Sequence, residues 1–336
     1  MRDNPAISMH DENDILEIED LKVMFPSPCK MTSALDGVSL SVEKGKILGL
    51  VGESGSGKSV TSLEILGLNA KAEVSGSIRF RRKDGSVMDI LRSDRKEKEA
   101  IRGSEIAMIF QEPGSALNPV LRIGKQLERV IRLHDKSLDK DERKEKALAL
   151  LGKAGLRDIG KIYSMYPHEL SGGMKQRVVI AMALSAEPVL ILADEPTTAL
   201  DVTIEREILK LLKDLVAENG VSMILISHDL GVISEVADSI AIMKNGRILE
   251  EGLKDEILSS PIHPYTRSLL DMARNMESIL EGDGTIGKKT GNLPDPSLCP
   301  LMDACHKEGR TCPDSTEHIQ ISRTHRVSCL GNGGDE

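Results

Sequence analysis

Gly52-Glu53-Ser54-Gly55-Ser56-Gly57-Lys58-Ser59 is the stretch on which the reading of this chain turns. The apolar run Ile47-Leu48-Gly49-Leu50-Val51 before it reads as a short buried strand. Val60-Thr61-Ser62-Leu63-Glu64-Ile65-Leu66 after it has helical spacing and stops at Gly67. Strand, glycine-rich loop and helix therefore follow one another. Gly52, Gly55 and Gly57, with Ser54 between them, let the loop turn back so that several backbone N–H groups converge on a polyphosphate, helped by the helix start. Lys58 can then reach the β- and γ-phosphates, and the Ser59 hydroxyl can ligate Mg²⁺. A glycine turn with an accidental Lys-Ser would lack these flanks, so the stretch reads as a nucleotide site.

The 336 residues around it allow two domains, or one large α/β domain with an appendage. Composition is that of an ordinary soluble protein, 40% apolar and 29% charged. No stretch approaches the roughly 18 uninterrupted apolar residues of a membrane span. The polar start Met1-Arg2-Asp3-Asn4-Pro5 does not read as a signal peptide, so the chain is expected in the cytoplasm unless a partner holds it at a membrane. A net charge of −9 argues against a nucleic-acid partner. Of five cysteines, Cys29 stands alone and four follow residue 298, which in a cytosolic protein suggests a metal more than disulfides.

Along the chain, Ile15–Ile18 and Leu21–Phe25 read as strand, Val38–Val42 as a half-exposed strand, and Val74–Phe80 as another. The charged run Arg92–Arg102 reads as a solvated connection. Between Asn118 and Glu169 the pattern turns helical, with Asp139 and Glu142 in a capping arrangement and Gly155 at a helix end. Val189–Ala193 and Ser222–Ile226 are then buried, parallel-type strands, and Ser239–Met243 with Arg247–Glu250 form a hairpin about Asn245-Gly246. Beyond about residue 260, glycines, prolines and cysteines accumulate, and 261–336 reads as a separate extension without much core of its own.

Asp194-Glu195 closes the strand Val189–Ala193. A carboxylate at the C-terminal edge of a strand beside a phosphate loop can hold Mg²⁺ through its water shell, and the second can orient and deprotonate an attacking water. Leu170-Ser171-Gly172-Gly173-Met174-Lys175-Gln176-Arg177 opens another helix and again offers free amides and a hydroxyl to an anion. Alone, Ser-Gly-Gly would be an ordinary cap. With the first loop it makes two phosphate-binding helix starts in one domain. One chain can hardly aim both at one nucleotide, which leads to two copies facing each other with ATP in the seam.

This order of motifs resembles the nucleotide-binding subunit of an ABC transporter over nearly all of residues 13–260. The resemblance implies a doubly wound P-loop ATPase core with an antiparallel β portion and a helical subdomain inserted at about 113–170. It makes Gln111, in Ile109-Phe110-Gln111-Glu112-Pro113, the glutamine that senses Mg²⁺ and water and couples the site to the membrane subunits. Ser171, Gly172, Gly173 and Gln176 become the signature motif meeting the γ-phosphate held by the opposite subunit, and Asp194 and Glu195 the metal-associated aspartate and the catalytic glutamate. Ala199-Leu200-Asp201 resembles the loop that crosses the dimer seam, and His228 the switch histidine. Phe25 falls where the family stacks an aromatic on adenine, although core packing explains a lone Phe equally well.

Finer matches point to one branch. Ile101-Arg102-Gly103, Leu117-Asn118-Pro119 and His263-Pro264-Tyr265-Thr266-Arg267-Ser268-Leu269-Leu270 resemble the oligopeptide/dipeptide/nickel importer ATPases. So does the tail, with Leu293-Pro294, Cys299, Cys305, Cys312 and Cys329, and His325-Arg326-Val327-Ser328. The cysteine spacing is not that of a zinc ribbon. Some relatives carry a [4Fe-4S] centre on such cysteines; zinc, with His306, and free thiols are the alternatives. Leu298, Leu301 and Ala304 depart from the family's preferences there. The resemblance implies an ATP hydrolase at the cytoplasmic face of the cell membrane that powers import of short peptides or of nickel. It further implies a second ATPase subunit (related or identical), two membrane permeases and an external solute-binding protein. A soluble relative serving carbon–phosphorus bond breakdown is the other class.

Overall fold

The computed structural model describes residues 9–26, 30–69, 71–198, 200–280 and 318–328. Cys29, Ala199 and the four tail cysteines, Cys299, Cys305, Cys312 and Cys329, lie outside the described residues, as do Leu298, Leu301, Ala304 and His306.

The chain opens with β1 (Asp14–Pro26) and β2 (Met31–Glu43), paired antiparallel. The two apolar runs expected at residues 15–18 and 21–25 are one strand, whose register shifts around Asp20, at φ 43°. In β2, Val38, Leu40 and Val42 point into the core while Ser41 and Glu43 face solvent, the alternation of a half-exposed strand. β3 (Ile47–Val51) is buried along its whole length and feeds the loop before α1 (Lys58–Ile65). β4 (Glu73–Arg81) and β5 (Val87–Asp89) complete an antiparallel sheet in the order β2-β1-β4-β5.

The charged run that follows is not a loose connection. It folds as α2 (Arg95–Ile101), because Asp94 accepts from the Glu97 amide at 2.9 Å while the Glu97 carboxylate accepts from the Asp94 amide at 2.9 Å. Ile101, 1% exposed, pins the helix, and the Arg102 guanidinium donates to the carbonyls of Leu66 and Gly67 at 2.6 and 2.7 Å. Charge density hid a capped helix with one apolar anchor.

After β6 (Ile106–Ile109) comes a helical stretch: α3 (Pro113–Ala116), α4 (Ile123–His134), α5 (Lys140–Lys153) and α6 (Ile159–Ser164). The capping box expected at Asp139 and Glu142 starts α5, and Gly155 follows its end at φ 74°. α7 (Gly172–Ala183) leads back to the sheet through β7 (Leu190–Asp194), α8 (Val202–Asn219), β8 (Ser222–Ser227), α9 (Leu230–Val236) and β9 (Ser239–Lys244). A turn at Asn245-Gly246, with φ 48° and 76°, joins β9 to β10 (Arg247–Leu253), then α10 (Lys254–Ser259) and α11 (Pro264–Leu280) follow. β11 (His318–Gln320) and β12 (Arg326–Ser328) are the last described strands.

The second sheet runs β11-β12-β10-β9-β3-β8-β7-β6, and the strands from β9 through β3, β8 and β7 to β6 pair in parallel. Two apolar clusters form on its faces. One, with Leu16, Ile78 and Phe80, lies between the sheets; the other, with Ile109, Val178, Ile208 and Leu225, lies under the helices. The described parts of the segment after residue 260 pack against this sheet. β12 extends the main sheet by pairing with β10, and Val327, Tyr265 and Leu270 are buried. The reason is Glu250, fully buried, whose carboxylate accepts from the amides of Ile262 (2.8 Å) and His263 (3.0 Å) and meets His325 Nε2 at 2.8 Å. A buried carboxylate must be paired, and the extension supplies the partners.

Candidate nucleotide site

The strand order places four consecutive C-terminal strand ends side by side: those of β3, β8, β7 and β6. In open α/β sheets such an edge is where ligands bind. β3 ends in the glycine loop, β8 in His228, β7 in Asp194-Glu195 and β6 in Phe110-Gln111. They surround a cavity of about 1030 Å³ whose lining includes Lys58, Ser59, Gln111, Glu195 and His228.

Gly57 caps α1 at φ 109° and contributes no side-chain bond, so no side chain blocks the first amides of the helix. The buried Lys58 ammonium donates to the carbonyls of Gly52 (2.6 Å) and Glu53 (2.8 Å) and reaches Ser56 Oγ at 3.4 Å. Burial pushes its pKa down, while the carboxylates of Glu195, Asp194 and Glu53 oppose that shift. Thus a cation lies inside the loop among acceptors that an anionic ligand can replace.

Asp194 is half-buried, and burial raises its pKa; the Ser59 hydroxyl, hydrogen-bonded to it, works the other way. A hydroxyl beside a carboxylate is an oxygen donor pair of the kind Mg²⁺ takes. Glu195 sits at φ 45°, a conformation that costs a side chain roughly 1–3 kcal/mol and collects at functional sites. Its carboxylate accepts from Gln111 Nε2 at 3.0 Å and Thr198 Oγ1 at 2.9 Å, and stands 3.2 Å from His228 Nδ1. Residues 111, 195 and 228, distant in sequence, thus converge on one carboxylate.

The second motif stands elsewhere. Ser171 caps α7, its hydroxyl accepting from the Met174 amide at 3.3 Å. Gly172 and Gly173 face α8 and the turn before it: a Cβ on Gly173 would lie 2.6 Å from Ile204 Cγ2, one on Gly172 3.3 Å from Leu200. Gln176 is buried beneath them, and Asp201 caps α8 through the Ile204 amide at 3.0 Å. None of Ser171, Gly172, Gly173, Gln176 and Asp201 lines the cavity, nor does Phe25, which packs half-buried against the cluster between the sheets.

Other contributors escaped the sequence reading. Thr198 was legible as the hydroxyl three residues after Glu195. The wall formed by Leu269, Met272 and Ala273 of α11 was not, nor was the bond from the Tyr265 hydroxyl to Glu53 Oε1 at 2.9 Å. Both depend on the fold of a segment some two hundred residues downstream of the loop.

The ABC transporter family is matched over residues 35–198. The chain is 42% identical to the oligopeptide transport ATP-binding protein AppD of Bacillus subtilis, over 88% of this chain and 95% of that protein. It is 42% identical to the dipeptide transport ATP-binding protein DppD of the same organism, covering 94% of each. Among solved structures, the dimeric ATP-binding cassette MJ0796, bound to ADP and Pi after hydrolysis, superposes with a TM-score of 0.62 at 31% identity, covering 71% of this chain and 98% of that one. Fold, site and relatives agree: the chain belongs to the ABC transporter family, in the branch of oligopeptide and dipeptide transport ATP-binding proteins.

Proposed function

We propose that the chain binds and hydrolyses ATP to power import of dipeptides or oligopeptides across the cytoplasmic membrane. The observation that carries this is the convergence of Lys58, Ser59, Glu195, Gln111 and His228 on one cavity, with Asp194 beside Ser59 and Ser171 to Gln176 displaced from it. Lys58 and the amides of the loop hold the β- and γ-phosphates. Mg²⁺, held by Ser59 and through water by Asp194, would neutralise phosphate charge. Glu195 accepts a proton from the water that attacks the γ-phosphorus, the bond to the bridging oxygen breaks, and ADP and inorganic phosphate leave. Gln111 and Thr198 fix the orientation of that carboxylate, and His228 stands where it can contact the γ-phosphate.

In this reading Ser171, Gly172, Gly173 and Gln176 serve the nucleotide of a facing subunit, and Asp201 lies on the loop at the seam. ATP binding across that seam closes the pair and hydrolysis reopens it. A related second ATPase subunit makes the pair a heterodimer, with a homodimer as the simpler form. Residues 13–260 form the ATPase domain; its helical subdomain at 113–170 and Gln111 meet two membrane permeases, served by an external solute-binding protein. In this reading the subunit is peripheral, at the cytoplasmic face of the membrane; no helix among the described residues is long and apolar enough to cross one. In the extension 261–336, four soft thiolates at Cys299, Cys305, Cys312 and Cys329 suit a [4Fe-4S] cluster; Cys305→Ser then loses iron and visible absorption in protein purified without air, and a colourless, iron-free wild-type chain rejects the cluster.

Glu195→Gln tests the main reading. It keeps ATP binding, accumulates the closed dimer and loses roughly 10²-fold or more in turnover, the contribution of a general base. Near-normal turnover in that variant removes Glu195 from the role.

A further inference from the structure

The outer wall of the nucleotide cavity belongs to α11, and one of its first residues reaches into the phosphate loop. Tyr265 is 8% exposed, and its hydroxyl donates to Glu53 Oε1 at 2.9 Å. Lys244 stands over the same ring, its ammonium 4.1 Å from the centroid and 4.0 Å from that Glu53 oxygen. Burial and the adjoining Glu53 carboxylate raise the phenol's pKa, so it stays protonated and able to donate.

Glu53 is an awkward residue for its position. It is the second residue of the loop, its own carbonyl accepts from Lys58, and its carboxylate is close enough to act on that ammonium. A polyphosphate drawn to Lys58 therefore meets a negative charge from the same loop, and like charges at short range disfavour binding. The carboxylate is half exposed, so its own packing does not hold it to one side.

We infer that Tyr265 is a positioning residue for nucleotide binding: together with Lys244, it holds the Glu53 carboxylate against α11 and away from the polyphosphate side of the loop. This rests on the loop being a nucleotide site, and adds that the C-terminal segment sets how well the site takes an anion. A charge-assisted hydrogen bond and a cation over an aromatic face are the stronger kinds of polar contact, and both are made by Tyr265, the first to Glu53 and the second to Lys244. The same contacts tie the loop to a helix seated on the buried Glu250, through the amides of Ile262 and His263.

The test is a double-mutant cycle in the full-length chain, read by Mg²⁺-ATP titration and by steady-state hydrolysis with its partner subunit. Tyr265→Phe keeps the ring and frees the carboxylate; ATP Kd and KM rise about fivefold, as loss of a charge-assisted bond predicts, while kcat changes less than about twofold. Glu53→Gln removes the charge that needs restraint. In the Glu53→Gln background, Tyr265→Phe changes ATP affinity less than about twofold. Wild-type affinity in Tyr265→Phe overturns the inference, and so does a fivefold loss that persists in the Glu53→Gln background, which would make Tyr265 a packing residue. Lys58→Ala in the same titration checks the underlying reading separately: unchanged ATP affinity there overturns the nucleotide site itself.

Discussion

Two helices open on glycine-rich turns, α1 after Gly57 and α7 after Ser171, and what meets their first amides differs. At α1 the cap is a left-handed glycine with no side-chain bond, and the start of the helix lines the cavity beside Glu195 and His228. At α7 the cap is an extended serine whose own hydroxyl takes the Met174 amide, and Ser171 and Gly172 face solvent away from the cavity. The first start is completed by its own chain, which supplies the cation, the metal-side oxygens and the carboxylate. The second presents the exposed Ser171 and Gly172, and none of its described residues lines the cavity. Such a division makes sense when each chain brings a full catalytic half and one contact surface for another copy.

Lys58→Ala should show the largest effect. Removing the buried ammonium leaves the loop's amides alone with the phosphates, and ATP affinity falls more than tenfold while turnover drops roughly 10²–10³-fold, the range seen when a preorganised charge is removed. Ser171→Arg strikes the other helix start. It leaves ATP binding by the isolated chain unchanged, since no residue of α7 lines its own cavity, but it abolishes nucleotide-driven dimerisation and with it at least about 10²-fold of turnover. Equilibrium titration and size-exclusion chromatography with Mg²⁺-ATP separate the two. If Ser171→Arg weakens ATP binding to the isolated chain as Lys58→Ala does, the contrast between the helix starts fails.

How early each part could be read follows from the reach of its interactions. The phosphate loop, the Asp139 cap and the Asn245-Gly246 hairpin depend on residues a few positions apart, so composition and spacing reveal them. α2 was local too, yet its charges masked a capping box that the Asp94/Glu97 spacing does carry. Glu195 was legible as the second carboxylate at a strand end, but its partners Gln111 and His228 became visible only through family resemblance, because three different strand ends deliver the set. Glu250 offered no local sign at all. A short strand with two adjacent acidic residues, Glu250 and Glu251, looks half-exposed, and only the return of His325 and residues 262–263 explains a fully buried carboxylate.

That buried region gives the next prediction, on the support beneath the first site. His263 is fully buried, its Nδ1 accepts the Tyr265 amide, and burial lowers its pKa to about 4, with Glu250 opposing and Lys244 assisting. The folded chain therefore holds the neutral ring while the unfolded chain, near the ordinary value of about 6.5, takes up a proton first. Stability from this group is present above pH about 6.5 and is lost as the pH falls towards about 4, by roughly 2–3 kcal/mol over the window. Asp14 runs the other way, its pKa raised to about 6 by burial, so the whole-protein curve mixes both. Subtracting the urea-unfolding curve of His263→Gln from that of the wild type isolates the histidine. A difference that stays flat between pH 4 and 6.5 would mean that the ring is not held neutral beneath Tyr265.

The smallest effect belongs to the bed of the second helix. Arg177 of α7 donates to the Ala154 carbonyl at the end of α5 at 3.1 Å, and Leu150 and Leu151 share a cluster with Val178. α5 in turn begins at Asp139, whose carboxylate accepts the amides of Asp141 and Glu142 at 2.8 and 2.9 Å. Asp139→Ala removes that cap and lowers the melting temperature by about 2–4 °C, the usual consequence of one lost helix cap in a domain of this size. Because the cap supports only the bed of α7, ATP affinity of the isolated chain stays at the wild-type value while nucleotide-driven dimerisation weakens slightly. A thermal melt and an ATP titration on one preparation decide it. Should the cap variant lose ATP affinity in step with its melting temperature, the two helix starts share one cooperative support, and the division between a self-sufficient site and a contact surface would have to be withdrawn.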